Sequence, residues 1–288
     1  MRPHTAPRAL AWLLCAAAAA LMAGCASRPQ APILEQPAGN AAAASAVAGR
    51  LDALLPTDLL LLGEQHDAAE HQQIQQQVMA ILAARGLLAA VALEMADAGV
   101  STATLQPGAS EAQVRRALAW NDKAWPWQAY GPAVMTAVRA GVPVLGANLP
   151  RERMQASMAD SKLDGQLRGP ALKAQQQLIR TGHCNLLPEP QVTPMTRIQI
   201  ARDISLADTL QQAVLPGKVV VLLAGSGHVD RQLGVPQHLP ADLNTKAVRL
   251  RAGPGADGDM AQAFDAVWPT PAVPVTDYCA GLKARLGR

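Results

Sequence analysis

Four apolar runs in this chain each end on residues that can do chemistry. Asp58–Gly63 (DLLLLG) is followed by Glu64, Gln65 and His66, and Ala89–Leu93 (AAVAL) by Glu94. Val142–Ala147 (VPVLGA) leads into Asn148, Pro150 and Arg151, and Lys218–Ala224 (KVVVLLA) into Gly225, Ser226, Gly227 and His228. Carboxylates and imidazoles pass protons as general acids and bases. With an open position left for water they also hold zinc or another divalent metal. Glu64, His66, Glu94 and His228 are the set that would do either. Each has a plainer use when taken singly. A carboxylate after a strand often caps a helix, a histidine such as His66 or His71 is often a satisfied core group, and Arg151 suits a surface ion pair. Two histidines and two glutamates at independent strand ends form a clustering that packing alone does not require.

The elements that must position them follow from periodicity. Short continuous apolar runs read as strands buried on both faces. Between the first two lies a helix striped by Ile74, Val78, Ile81 and Leu82, with Asp67 and Glu70 placed for a capping box and Gly86 at its end. Pro132 marks a second helix start, with Val134, Met135 and Val138 as its stripe. A third helix is expected from about 195 to 214, striped by Ile198, Arg202, Leu206 and Leu210, after a polar helix over 151–180 and a loop over 182–194. A weaker strand covers 246–250, and the Pro- and Gly-rich tail carries no expected element. The fold class is therefore α/β: a mostly parallel sheet with helices on both faces, residues 151–215 forming a helical insertion. In such a sheet the strand ends share one edge, where ligands bind. His71 sits near the first helix start, and Tyr130 before the second, close to Trp125 and Trp127.

The chain's ends and composition bound its setting. Arg2 and Arg8, an apolar run over 9–23 and the small residues Ala23-Gly24 before Cys25 make residues 1–24 a secretory signal. The run is shorter than the roughly 20 residues that span a bilayer. Leu21–Cys25 resembles a bacterial lipobox, which implies cleavage before Cys25 and lipidation of it, with Ala26 favouring the outer membrane. The formal charge then falls from +3 to +1, and no Lys/Arg-rich run exists, so nucleic acid is not an expected partner. Residues 25–48, rich in Ala, Pro, Gln and Gly, read as a tether, and 49–288 as the folded domain. With Cys25 lipidated, Cys184 and Cys279 remain as an even pair in an oxidising compartment, where a disulfide between them is expected. Other templates fail: Gly225-Ser226-Gly227 is too tight for a nucleophile elbow, and no third glycine completes a dinucleotide fingerprint.

These motifs, in order, resemble those of the ChaN-type haem-binding lipoproteins in the Tiki/erythromycin-esterase-like superfamily. The matching stretches are Gly63–Asp67 with His71, Leu93–Met95, Trp120 with Trp125–Pro132, Ala147–Arg151, His183-Cys184 to Gln199–Asp203, and Gly225–His228 with Gly234–Pro236. The resemblance implies haem or iron handling in a lipid-anchored, exported protein, with an outer-membrane haem or iron receptor as partner and a homodimer possible. Haem needs an axial ligand, which His or Tyr can supply. Tyr130, His66, His71, His183 and His228 are the candidates, with Arg151 or Arg153 for the propionates. The superfamily also contains hydrolases, so a metal-dependent hydrolase using Glu64, His66, Glu94 and His228 stands as the alternative.

Overall fold

The computed structural model describes residues 38–255 and 260–285. Residues 1–24, expected to be a signal, and Cys25 lie outside the described residues. Among the described residues, six parallel strands form one sheet in the order β3-β2-β4-β1-β5-β6. The chain runs through α1 (Ala38–Asp52), β1 (Leu59–Glu64), α2 (Ala69–Ala84), β2 (Leu88–Asp97), α3 (Glu111–Ala117), α4 (Trp127–Arg139) and β3 (Val144–Asn148). It continues through α5 (Met154–Ala159), α6 (Gly169–Gly182), α7 (Glu189–Ala213), β4 (Val219–Gly225), β5 (Thr245–Ala252), α8 (Met260–Ala263), β6 (Ala266–Thr270) and α9 (Tyr278–Arg285).

The expected α/β class holds. β1, β2 and β4 are buried almost residue by residue, as central parallel strands covered on both sides must be. Successive side chains enter opposite layers. Leu60 and Leu62 join Val78, Leu82, Val134 and Val138 of α2 and α4, whereas Leu59 and Leu61 join Leu206, Ala207 and Leu210 of α7. β4 and β1 lie side by side, and their connections lead in opposite directions across the sheet, to β5 and to β2. This reversal opens the crevice in which doubly wound sheets place ligands.

Several elements differ from expectation. α1 starts at Ala38, inside the stretch read as tether, because Val47 and Leu51 are buried against the α2 layer. The capping box before α2 does not form: Ala68 occupies the cap with no side-chain bond, and the Asp67 carboxylate is taken by the Tyr278 hydroxyl. α4 begins at Trp127, so Pro132 sits inside the helix and Tyr130 within its first turn, where its ring packs in the core. Pro132 has no N–H for the carbonyl one turn back, and the helix tolerates that loss because its stripe is buried. The region 151–180 is broken at Asp160 and again before Gly169, not one helix. α7 runs through Pro194 and covers one face of the sheet, so it belongs to the α/β alternation; only the segments before it are inserted. The tail is not irregular: β6 pairs with β5, and α9 follows. The disulfide Cys184–Cys279 is present, bridging 95 residues and holding α9 against the loop after α6.

Candidate functional site

The carboxyl ends of β1, β2 and β4 bring Glu64, Glu94 and Gly225 together. Gly63 permits this closeness, because a Cβ there would meet Val229 Cγ2 at 2.3 Å and the Ser226 backbone at 2.9 Å. Glu64 is sealed. Its Oε1 accepts from the Tyr130 hydroxyl at 2.7 Å and lies 2.7 Å from His66 Nδ1. Its Oε2 accepts from Gln72 Nε2 at 2.9 Å and Gln75 Nε2 at 2.8 Å. Burial and the Glu64 carboxylate together push the Tyr130 phenol far above its ordinary pKa, so it stays a donor. Gln72 and Gln75, which sequence reading missed, lie three residues apart on one face of α2, a spacing that carries both to one acceptor.

Beside it lies a second buried cluster. His228 Nδ1 is 2.5 Å from Asp203 Oδ1, and His228 Nε2 is 3.4 Å from Glu94 Oε1. Burial disfavours charging of His228, but Glu94 and Asp203 outweigh it and raise its pKa to about 10. Burial likewise opposes ionisation of Glu94, yet His228, His66 and the Gly225 N–H lower it to about 2; that N–H donates to Glu94 Oε2 at 2.7 Å. Asp203 and Gln199, on successive turns of α7, both reach His228. The family resemblance marks the Gln199–Asp203 stretch, and their i, i+4 spacing sets both on one face of the helix.

Above these clusters an open cavity of about 790 Å³ is lined by Glu64, His66, Glu94, Ile179, His183, Arg202, His228 and Tyr278, among others. His66 spans both worlds. Its Nδ1 is held by Glu64, its ring meets Trp125 edge-on at 4.9 Å, and its side chain is 42% exposed to the cavity. Burial lowers its pKa, but Glu64 and Glu94 raise it by more. His183 Nδ1 donates to the Ile179 carbonyl at 2.7 Å, which leaves Nε2 with its lone pair. Tyr278 is 59% exposed, with its hydroxyl on Asp67. The tail looked structureless in sequence; the disulfide at the next residue is what carries Tyr278 to the cavity.

Other expected residues lie elsewhere. His71 is fully buried: its Nδ1 accepts from the Gln65 N–H and its Nε2 meets Thr270 Oγ1, so both nitrogens are used in the core. Tyr130 is 1% exposed and does not line the cavity. Arg151 lines a separate, smaller cavity with Asp97, Trp125 and Asn148. The divalent-metal alternative gains no support. Among the described residues no group of three or more His, Cys, Asp or Glu is arranged to hold a metal ion. Both oxygens of Glu64 are already committed to protein donors, and each oxygen of Glu94 holds one.

A family model described as haem-binding uptake, Tiki superfamily, ChaN matches residues 50–239. The fold is similar to a solved structure described as cofacial heme binding to ChaN of Campylobacter jejuni. The two share 24% identity over 76% of this chain and 90% of that one, with a TM-score of 0.63. A type III effector, HopBA1, is similar at 16% identity and TM-score 0.44, covering 79% of this chain and 94% of that one. A Bacillus cereus protein is similar at 13% identity and TM-score 0.44, covering 73% and 69%. No curated protein matches this sequence.

Proposed function

Because this chain belongs to the ChaN family of haem-binding uptake proteins in the Tiki superfamily, we propose that it binds haem in the open cavity at the carboxyl edge of its sheet, in the service of haem or iron acquisition. The observation that carries this is the donor set on the cavity wall. His183 has a free ring nitrogen, His66 faces the cavity, and Tyr278 presents an exposed phenol. Imidazole and phenolate are both haem ligands. Haem fits these residues: the cavity lies within the roughly 300–1,000 Å³ range of small-molecule sites, and Ile179 and Leu178 supply apolar wall beside the donors. When bound, haem would supply the iron chemistry, while the chain supplies a ligand, an apolar face and exclusion of water.

The proposal includes export and lipidation at Cys25, with the outer membrane as destination, supported by the signal and lipobox pattern of residues 1–25. An open cavity leaves one face of a bound haem available to a second copy of the chain or to a receptor. Haemin titration of the full-length chain in detergent tests the central point. A saturable Soret shift, altered by His183→Ala or Tyr278→Phe, is expected. Absorbance indistinguishable from a non-binding control protein would overturn the reading. Mass spectrometry of the N-terminal peptide, compared with Cys25→Ala, tests the lipid.

A further inference from the structure

Arg202 is an arginine without a partner in a place where that is costly. It projects from α7 into the lining of the 790 Å³ cavity, and its Nε is buried with no hydrogen bond. Arg197, five residues earlier on the same helix, shows the ordinary solution: its Nε and Nη2 grip Asp164 at 2.8 and 2.6 Å. The carboxylates near Arg202 are already used. Asp203 holds His228, and Glu94 holds His228 and the Gly225 N–H. Asp97 feels the Arg202 charge only at a distance and lines the neighbouring cavity. A guanidinium partly withdrawn from water without an acceptor is unfavourable. Its best complement is a planar carboxylate that can take two parallel N–H bonds.

We propose that Arg202 is the carboxylate anchor of this cavity and that it takes a propionate of the bound haem. The inference rests on the haem reading above and assigns the anchoring role to Arg202, in place of Arg151, which lies on the other cavity. Gln199, one turn before Arg202 on α7, and Gln175 on α6 add amide groups to the same wall. The anchor therefore sits on the helix side of the cavity, whereas the Glu64 and Glu94 carboxylates come from the strand ends and already hold protein donors.

The test compares haemin with haemin dimethyl ester, which keeps the iron and porphyrin but has no free carboxylate. Soret titrations use the full-length chain in detergent as wild type, Arg202→Gln and Arg202→Lys. Wild type is expected to prefer haemin over the ester by about tenfold to a hundredfold, the size of a charge-assisted bidentate contact. Arg202→Gln should remove that preference by weakening haemin alone, and Arg202→Lys should retain part of it. A matching thermal melt for Arg202→Gln shows that the fold is intact; should it melt early, Arg202→Lys carries the comparison. Unchanged preference in Arg202→Gln, or equal loss for haemin and ester, overturns the anchor while leaving haem binding standing. A wild type that binds neither compound overturns the haem reading and the anchor with it.

Discussion

Two polar regions meet at the carboxyl edge of the sheet, only two residues apart in sequence at Glu64 and His66. Below, the Glu64 and Glu94 carboxylates are closed off, each oxygen held by a side chain or a backbone N–H. Above, on the cavity wall, His183 keeps a free nitrogen, Tyr278 is exposed, and Arg202 Nε has no partner. The same residue types occur in both. What separates them is saturation: a fully bonded buried network rigidifies and positions, whereas a group with unmet bonding capacity at a cavity can take a ligand. The lower region therefore behaves as the platform and the upper one as the receiver.

The largest expected effect tests the platform. Glu64→Ala strips the common acceptor from Tyr130, Gln72, Gln75 and His66. Breaking a buried charged network by removing one member costs roughly 3–5 kcal/mol. Urea denaturation should show a loss of that size, while His183→Ala on the cavity wall should leave the midpoint nearly unchanged. Equal midpoints for Glu64→Ala and wild type would dissolve the distinction between the regions.

Next comes the link that joins the tail to the upper region. Replacing Cys184 and Cys279 together by Ser opens a covalent loop across 95 residues. A loss of about 2–5 kcal/mol is the usual range for such a bridge. Proteolysis should then cut first in the segment after Thr270, with the sheet still protected. A tail that stays protected in the double variant would mean that Tyr278 is held by packing alone.

The pH dependence should follow the lower region. His228 is raised from its ordinary 6.5 to about 10, so the stability it contributes is full below about pH 6.5 and fades as pH rises through about 10. Glu94 is lowered from 4.5 to about 2, so its contribution is present above about pH 4.5 and fades as pH falls towards about 2. Both describe one contact, which is counted once. Urea midpoints should form a plateau between these limits and fall on the alkaline side by on the order of a few kcal/mol. His228→Gln should flatten that alkaline fall. A variant that keeps the fall would place its origin in another group.

How much of this was legible in sequence depends on whether the signal was local. Strand runs such as Leu59–Leu62 and Val219–Ala224 announce themselves, because burial on both faces demands continuous apolar residues. Glu64, His66, Glu94 and His228 were found by the same logic, standing where those runs stop. The role of α7 was hidden, since its stripe reads alike whether it packs on the sheet or on an insertion. Tyr278 was overlooked for a different reason: the disulfide expected at Cys279 already tied its neighbour to Cys184 beside His183, but the tail around it showed no periodicity that would mark an element. Tyr130 stood out as one of only two tyrosines in a chain with eight aromatic residues, five Trp, two Tyr and one Phe. Rarity says that a residue is used, not where its hydroxyl points.

The two tyrosines give the smallest but sharpest test of the comparison. Tyr130 donates to Glu64 from inside the core, whereas Tyr278 meets Asp67 at the exposed rim. Tyr130→Phe leaves a buried Glu64 oxygen with one donor fewer, at a cost of roughly 1–2 kcal/mol, and should leave the haemin spectrum as it was. Tyr278→Phe should leave the melting temperature unchanged. It should alter the haemin spectrum if the phenol ligates iron by giving up its bond to Asp67. The reverse pattern, a changed spectrum in Tyr130→Phe and none in Tyr278→Phe, would require Tyr130 to leave Glu64 and the core to open on binding. The lower region would then be the moving part, and the ranking of platform and receiver would invert.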